Sequence, residues 1–185
     1  MRALPTALPG VIVVEPEVHR DGRGLFLETY HADKYAAAGI ALPFVQDNHS
    51  RSGARTLRGL HAQVGRNAQG KLVHALRGEI FDVAVDVRRG SPTFRRWVGV
   101  TLSGDDFRQL YVPPGFLHGF CVLGQGAEVG YKCTAPWDPT AELTVRWDDP
   151  ELAIDWPVTD PVLSARDAAA PLLAELLDRL PPYGG

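Results

Sequence analysis

Apolar and polar residues follow one another in short runs along most of the chain, and the runs read as strands rather than helices. Gly10 to Pro16 is apolar and β-branched, and Leu25 to Tyr30 follows the turn sequence Asp21-Gly22-Arg23-Gly24. Lys71 to Leu76 and Ile80 to Val87 are separated by Arg77-Gly78-Glu79, a spacing that predicts a hairpin-like connection. In the second of these runs Phe81, Val83, Val85 and Val87 share one face, while Asp82 and Asp86 take the other. Two carboxylates on that second face imply water, a partner or a polar cavity. Further strands are expected at Trp97 to Leu102, Gln109 to Val112, Gly119 to Leu123 and Ala127 to Cys133.

Helical signals are few. His31 to Ala38 reads as a short helix ended by Gly39. Ser164 and Asp167 stand three apart, a loose capping signal, and predict a helical segment over about 164–180 in which Pro171 fits only near the first turn. No repeat, linker or low-complexity stretch appears, so residues 1–185 read as one domain. Many short strands between Gly/Pro turns point to a mainly β sandwich, barrel or jelly roll.

Composition narrows the class of function. A hydrophobic content of 45% and a formal net charge of -3 describe an ordinary globular chain, with no reason to expect nucleic acid or an anionic membrane as partner. The start lacks the apolar core of a signal peptide and nothing approaches a membrane span, so the expected compartment is the cytoplasm. Cys121 and Cys133 have no CxxC spacing and read as buried thiols.

Three segments concentrate polar chemistry. Arg58-Gly59-Leu60-His61-Ala62-Gln63 puts His61 and Gln63 on one face by alternation; Ala68-Gln69-Gly70-Lys71 delivers a lysine to a strand start; Val112 to Phe120 brings His118 behind a Pro/Gly turn. Tyr131 shares a strand face with Val129 and Cys133. Each of these residues alone is more often structural: a bonded histidine, a solvated lysine, a core tyrosine.

Together they carry a resemblance. Asp21-Gly22-Arg23-Gly24, Gln46-Asp47-Asn48-His49-Ser50, Arg58-Gly59-Leu60-His61, Ala68 to Val73 and Phe81 to Asp86 resemble the dTDP-4-dehydrorhamnose 3,5-epimerase family. Ser91 to Phe94, Trp97 to Val100, Pro114 to Phe120, Tyr131 to Thr134 and Leu163 to Asp167 extend the likeness, in order, from about residue 10 to about residue 175.

The resemblance implies a cupin-like jelly roll, a homodimer, no metal or other cofactor, and a dTDP-4-keto-6-deoxyhexose as substrate. By it His61 is the base, Asp167 its orienting partner, Tyr131 the acid, and Lys71 the stabiliser of an oxyanion. It places Arg23, Glu28, Gln46, Asn48, Arg58, His118, Glu142 and Arg166 at the substrate and Trp137 against the thymine ring, with the N-terminal segment packing on the partner subunit. Three departures from the family pattern stand out: Trp137 for a tyrosine, Ala62 for an aromatic expected to wall the pocket, and Arg166 for a lysine. They leave open inversion at C3 or C5 alone, as in deoxysugar antibiotic pathways. Two other classes compete. A metal cupin would present His-x-His, which is absent from the six histidines. A non-catalytic sugar-nucleotide-binding cupin would have no need of a base and an acid.

Overall fold

The computed structural model describes residues 1–184; Gly185, the last residue of the expected domain, lies outside them. The strands are β1 (Arg2–Pro5), β2 (Ile12–Glu15), β3 (Val18–Asp21), β4 (Gly24–Leu27), β5 (Gln46–Gly53), β6 (Leu57–Gln63), β7 (Lys71–Arg77), β8 (Glu79–Asp86), β9 (Trp97–Ser103), β10 (Gln109–Val112), β11 (Phe116–Val122), β12 (Gly126–Cys133) and β13 (Glu142–Thr144). Two antiparallel sheets pack face to face, as the mainly β jelly-roll reading expects. One runs β1-β2-β10-β7-β12-β5, the other β13-β6-β11-β8-β9. The β3–β4 pair stands apart as a two-stranded hairpin.

Side-chain alternation sorts the apolar residues into three layers. Val73, Ala75, Ile80, Ala84, Leu110, Phe120 and Val129 fill the space between the sheets. Val83, Val85, Val87, Leu117 and Cys121 pack behind the second sheet, against Leu173, Leu176 and Leu180 of the C-terminal segment. Tyr35, from helix α1 (Ala32–Ala37), covers the outer face of the first sheet with Val14, Leu72 and Tyr111. Gly39 ends that helical turn at φ +90°. Both cysteines are buried free thiols.

Two expectations change. Arg77-Gly78-Glu79 does not close a hairpin: β7 and β8 lie in different sheets, and the turn carries the chain across the sandwich. Gly78, at φ +74°, passes so near β12 that a Cβ there would sit 2.2 Å from the Gly126 carbonyl oxygen. The C-terminal helical segment is also not continuous. It is one turn of helix, α2 (Ala165–Ala168), and a separate 3₁₀ stretch, Leu173–Arg179. Pro171 falls between them, where its missing N–H and ring forbid an unbroken ladder.

Candidate active site

The polar groups collect where the sheets part, near the edge strand β5. Period-2 alternation explains most of this. On β5, Gln46, Asn48, Ser50 and Ser52 face inward; on β12, Tyr131 stands opposite Asn48 and Val73 in register. On β8 the two carboxylates expected to meet a polar environment are both fully buried. Asp82 binds His118 at 2.7 Å; Asp86 accepts from Arg88, Ser91 and Thr93.

One break in the alternation matters. Arg58 and His61 are three residues apart and would take opposite faces of a regular strand. Between them β6 carries an extra residue relative to β11: His118 pairs with His61, but Phe120 pairs with Arg58. This bulge turns both toward the cleft and leaves Leu57, Leu60 and Ala62 in the apolar layer behind. It needs Gly59, which adopts φ +122° and whose added Cβ would lie 2.7 Å from the Cα of Gly119.

Two cavities of 520 and 280 Å³ share His61, Lys71 and Tyr131. Arg58, His118, Arg166 and Asp167 line the larger; Gln46, Asn48, Trp137 and Glu142 line the smaller. His61 Nε2 lies 2.7 Å from Oδ1 of Asp167, which is 3% exposed. With that nitrogen donating to the carboxylate, Nδ1 is left to take a proton. Burial pushes the Asp167 carboxyl up, but hydrogen bonds from His61 and Ser164, the imidazole's charge and the Gly59 backbone outweigh it and hold the group below its ordinary value. Ser164 also caps α2, its Oγ accepting the Asp167 N–H at 3.1 Å. The capping signal in the sequence was therefore also a site signal.

Burial pushes the Lys71 ammonium down, against the opposing pull of Cys133, Glu142 and Asp82. Burial, with Cys133 beside it, raises the Tyr131 phenol, which stays protonated across the neutral range. Arg58 is steadied by its Nε–Ser52 Oγ bond at 3.0 Å. Gln46 donates to Asn48 at 3.0 Å and accepts the Trp137 backbone N–H at 2.9 Å. Ala62 borders the smaller cavity while packing behind the strand, so the departure there changes that layer as well as the wall.

Arg23 and Glu28 do not join the others. Arg23 occupies the β3–β4 turn with its side chain 91% exposed and paired to Asp21, and Glu28 pairs with Lys34 at 2.8 Å. The hairpin carries them out of their own chain's cleft and displays Leu25 and Phe26 to solvent. Ser50 Oγ, beside the larger cavity and not singled out in the sequence, is buried without a partner, as is Oδ2 of Asp82, whose Oδ1 meets His118. The Asp82 signal lay in its opposition to Val83 and Val85; Ser50 shares the parity of Gln46 and Asn48. Among the described residues, no group of three or more His, Cys, Asp and Glu is arranged to hold a metal ion, and no helix is long and apolar enough to cross a membrane.

A family model described as dTDP-4-dehydrorhamnose 3,5-epimerase matches residues 5–175. The dTDP-4-dehydrorhamnose 3,5-epimerase of Salmonella typhimurium strain LT2 is 50% identical over 96% of this chain and 98% of its own length. That of Pseudomonas aeruginosa PAO1 is 52% identical over 95% of this chain and 97% of its own. The crystal structure of a dTDP-6-deoxy-D-glucose-3,5-epimerase from Legionella pneumophila Philadelphia 1, in complex with dTDP-4-keto-L-rhamnose, superposes with a TM-score of 0.95 at 48% identity, covering 100% of this chain and 99% of that one.

Proposed function

We propose, from the premise that the chain belongs to the dTDP-4-dehydrorhamnose 3,5-epimerase family, that it is an isomerase inverting C3 and C5 of dTDP-4-keto-6-deoxyglucose to give dTDP-4-keto-L-rhamnose. One observation carries the mechanism: His61 and Tyr131 rise from opposite sheets into the same cleft. Inversion needs a base on one face of the sugar and an acid on the other. The protons on C3 and C5 are acidified by the C4 ketone between them. His61, with Asp167 stabilising the imidazolium, removes one to leave an enolate. Lys71 balances the charge growing on the ketone oxygen, and its poor solvation makes that charge count for more than it would in water. Tyr131 returns a proton to the opposite face; once His61 has given its proton to solvent and Tyr131 has regained one, the cycle repeats at the second carbon.

Arg58 and His118 supply donors suited to a diphosphate, and Trp137, 59% exposed, offers a face for the thymine ring. The protein works as a cytoplasmic, metal-independent homodimer in which the β3–β4 hairpin brings Arg23 and Glu28 to the partner's cleft. The exposed Leu25 and Phe26 give that hairpin an apolar surface to bury.

The test is proton NMR with dTDP-4-keto-6-deoxyglucose in heavy water after chelator treatment. Deuterium entering at both C3 and C5 supports the double epimerase, and entry at one carbon alone would replace it with a mono-epimerase. No incorporation would overturn the catalytic reading. His61→Ala should abolish exchange at both carbons.

A further inference from the structure

Two of the departures from the family pattern, Trp137 and Arg166, meet on one carboxylate. Arg166 grips Glu142 with both terminal nitrogens, Nη1 at 2.9 Å from Oε2 and Nη2 on Oε1. The Trp137 indole N–H points to the same Oε2 at 3.4 Å. The backbone at Glu142 is tied as well: Arg179 Nη2 donates to its carbonyl oxygen at 3.0 Å. The Glu142 side chain is 16% exposed, so both oxygens are occupied in a partly dry setting.

We propose that Arg166 is a positioning residue that acts through Glu142 to set the Trp137 indole as the platform for the nucleobase, so that the three bind the nucleotide as one unit. The inference rests on the reading of the site given above and adds how its nucleotide end is held. A planar, five-donor guanidinium can hold a carboxylate in one orientation, which the single ammonium of a lysine cannot. A carboxylate so held can in turn orient an indole N–H, a group that a tyrosine at the same place would lack. The two departures are therefore matched: each makes structural use of the other through Glu142. Arg166 is also the chain neighbour of Asp167 on the single turn of α2, so the clamp joins the nucleotide end to the element that carries the dyad.

The experiment measures Kd for dTDP by calorimetry, and kcat and KM for the keto sugar, on the full-length wild type, Arg166→Gln, Glu142→Gln, their double variant, Arg166→Lys and Trp137→Phe. Each of the first two substitutions should weaken dTDP binding roughly ten-fold, with KM rising and kcat within about two-fold of wild type. The double variant should be no weaker than the worse single one, because the second change removes an interaction already lost. Arg166→Lys should recover only part of the affinity, and Trp137→Phe should lose less than Glu142→Gln because a ring face remains. Losses that multiply in the double variant, or singles with unchanged Kd, would overturn the clamp. A wild type that does not bind dTDP would overturn the site reading itself.

Discussion

Asp167 holds His61 by the far nitrogen of its ring, 2.7 Å from carboxylate to imidazole, while its own backbone N–H is taken by the hydroxyl of Ser164. Replacing the carboxylate by an amide keeps the shape but removes the charge that stabilises the imidazolium. Asp167→Asn should therefore lower kcat about 10³- to 10⁴-fold with little change in melting temperature. Deuterium exchange at C3 and C5 checks it; near-normal exchange would show that the dyad is not the base.

Ser164→Ala removes the cap of α2 and the hydroxyl beside the Asp167 carboxylate. It should cost about 1 kcal/mol of stability. It should also lower kcat more than it raises KM, since Asp167 then loses the bond that sets its place on α2. Urea denaturation and steady-state kinetics on the same preparation would separate the two effects, and an unchanged kcat would make the cap purely structural.

On the proposed mechanism, Tyr131→Phe deletes the acid and little else. Binding of substrate should stay within about two-fold, while formation of the inverted product falls at least about a hundred-fold. Product analysis by NMR decides it, and normal turnover would end the assignment.

Asp86 gives a stability prediction of defined sign. Burial pushes its carboxyl up, but the hydrogen bonds from Arg88, Ser91 and Thr93 win and bring it down to about 2. A depressed folded value means the contribution, about 2 kcal/mol, is present above the unfolded value near 3.8 and is lost as pH falls toward 2. Asp86→Asn should destabilise by about 3–5 kcal/mol at neutral pH, because Arg88 is left without its partner. The gap to wild type should narrow steadily below pH 4. Thermal melts across pH 2–7 provide the measurement, and a gap independent of pH would refute the ionised pair.

Much of the site could be read from strand parity. Lys71 shares a face with Val73 and Ala75, and Tyr131 with Val129 and Cys133. Asp82 and Asp86 oppose the Val83 and Val85 face, so knowing the core side told where the polar cleft lay. Parity failed at Arg58 and His61, because a bulge is a property of the pairing between β6 and β11 and leaves only Gly59 as a trace in one strand. The turn at Gly78 departs from the hairpin expectation for a related reason. Local spacing specifies a reversal, but whether the two strands then pair or part depends on which sheet each one completes. Pro171 marked where the C-terminal helix had to stop, yet the continuation as 3₁₀ is set by Leu173, Leu176 and Leu180 reaching the apolar layer behind the second sheet. Arg23 and Glu28 were expected at the substrate from the resemblance alone, and their strand pattern carries no sign that the β3–β4 hairpin would hold them away from their own cleft.

The orienting carboxylate rides on a helix of four residues. So short a coil has almost no hydrogen-bond ladder of its own, and its order is borrowed from the cap, the imidazole and the flanking segments. On warming, such a turn frays as a local unit while the two sheets remain intact. Heat should thus switch the enzyme off reversibly, several degrees before the sandwich melts, with activity returning on cooling.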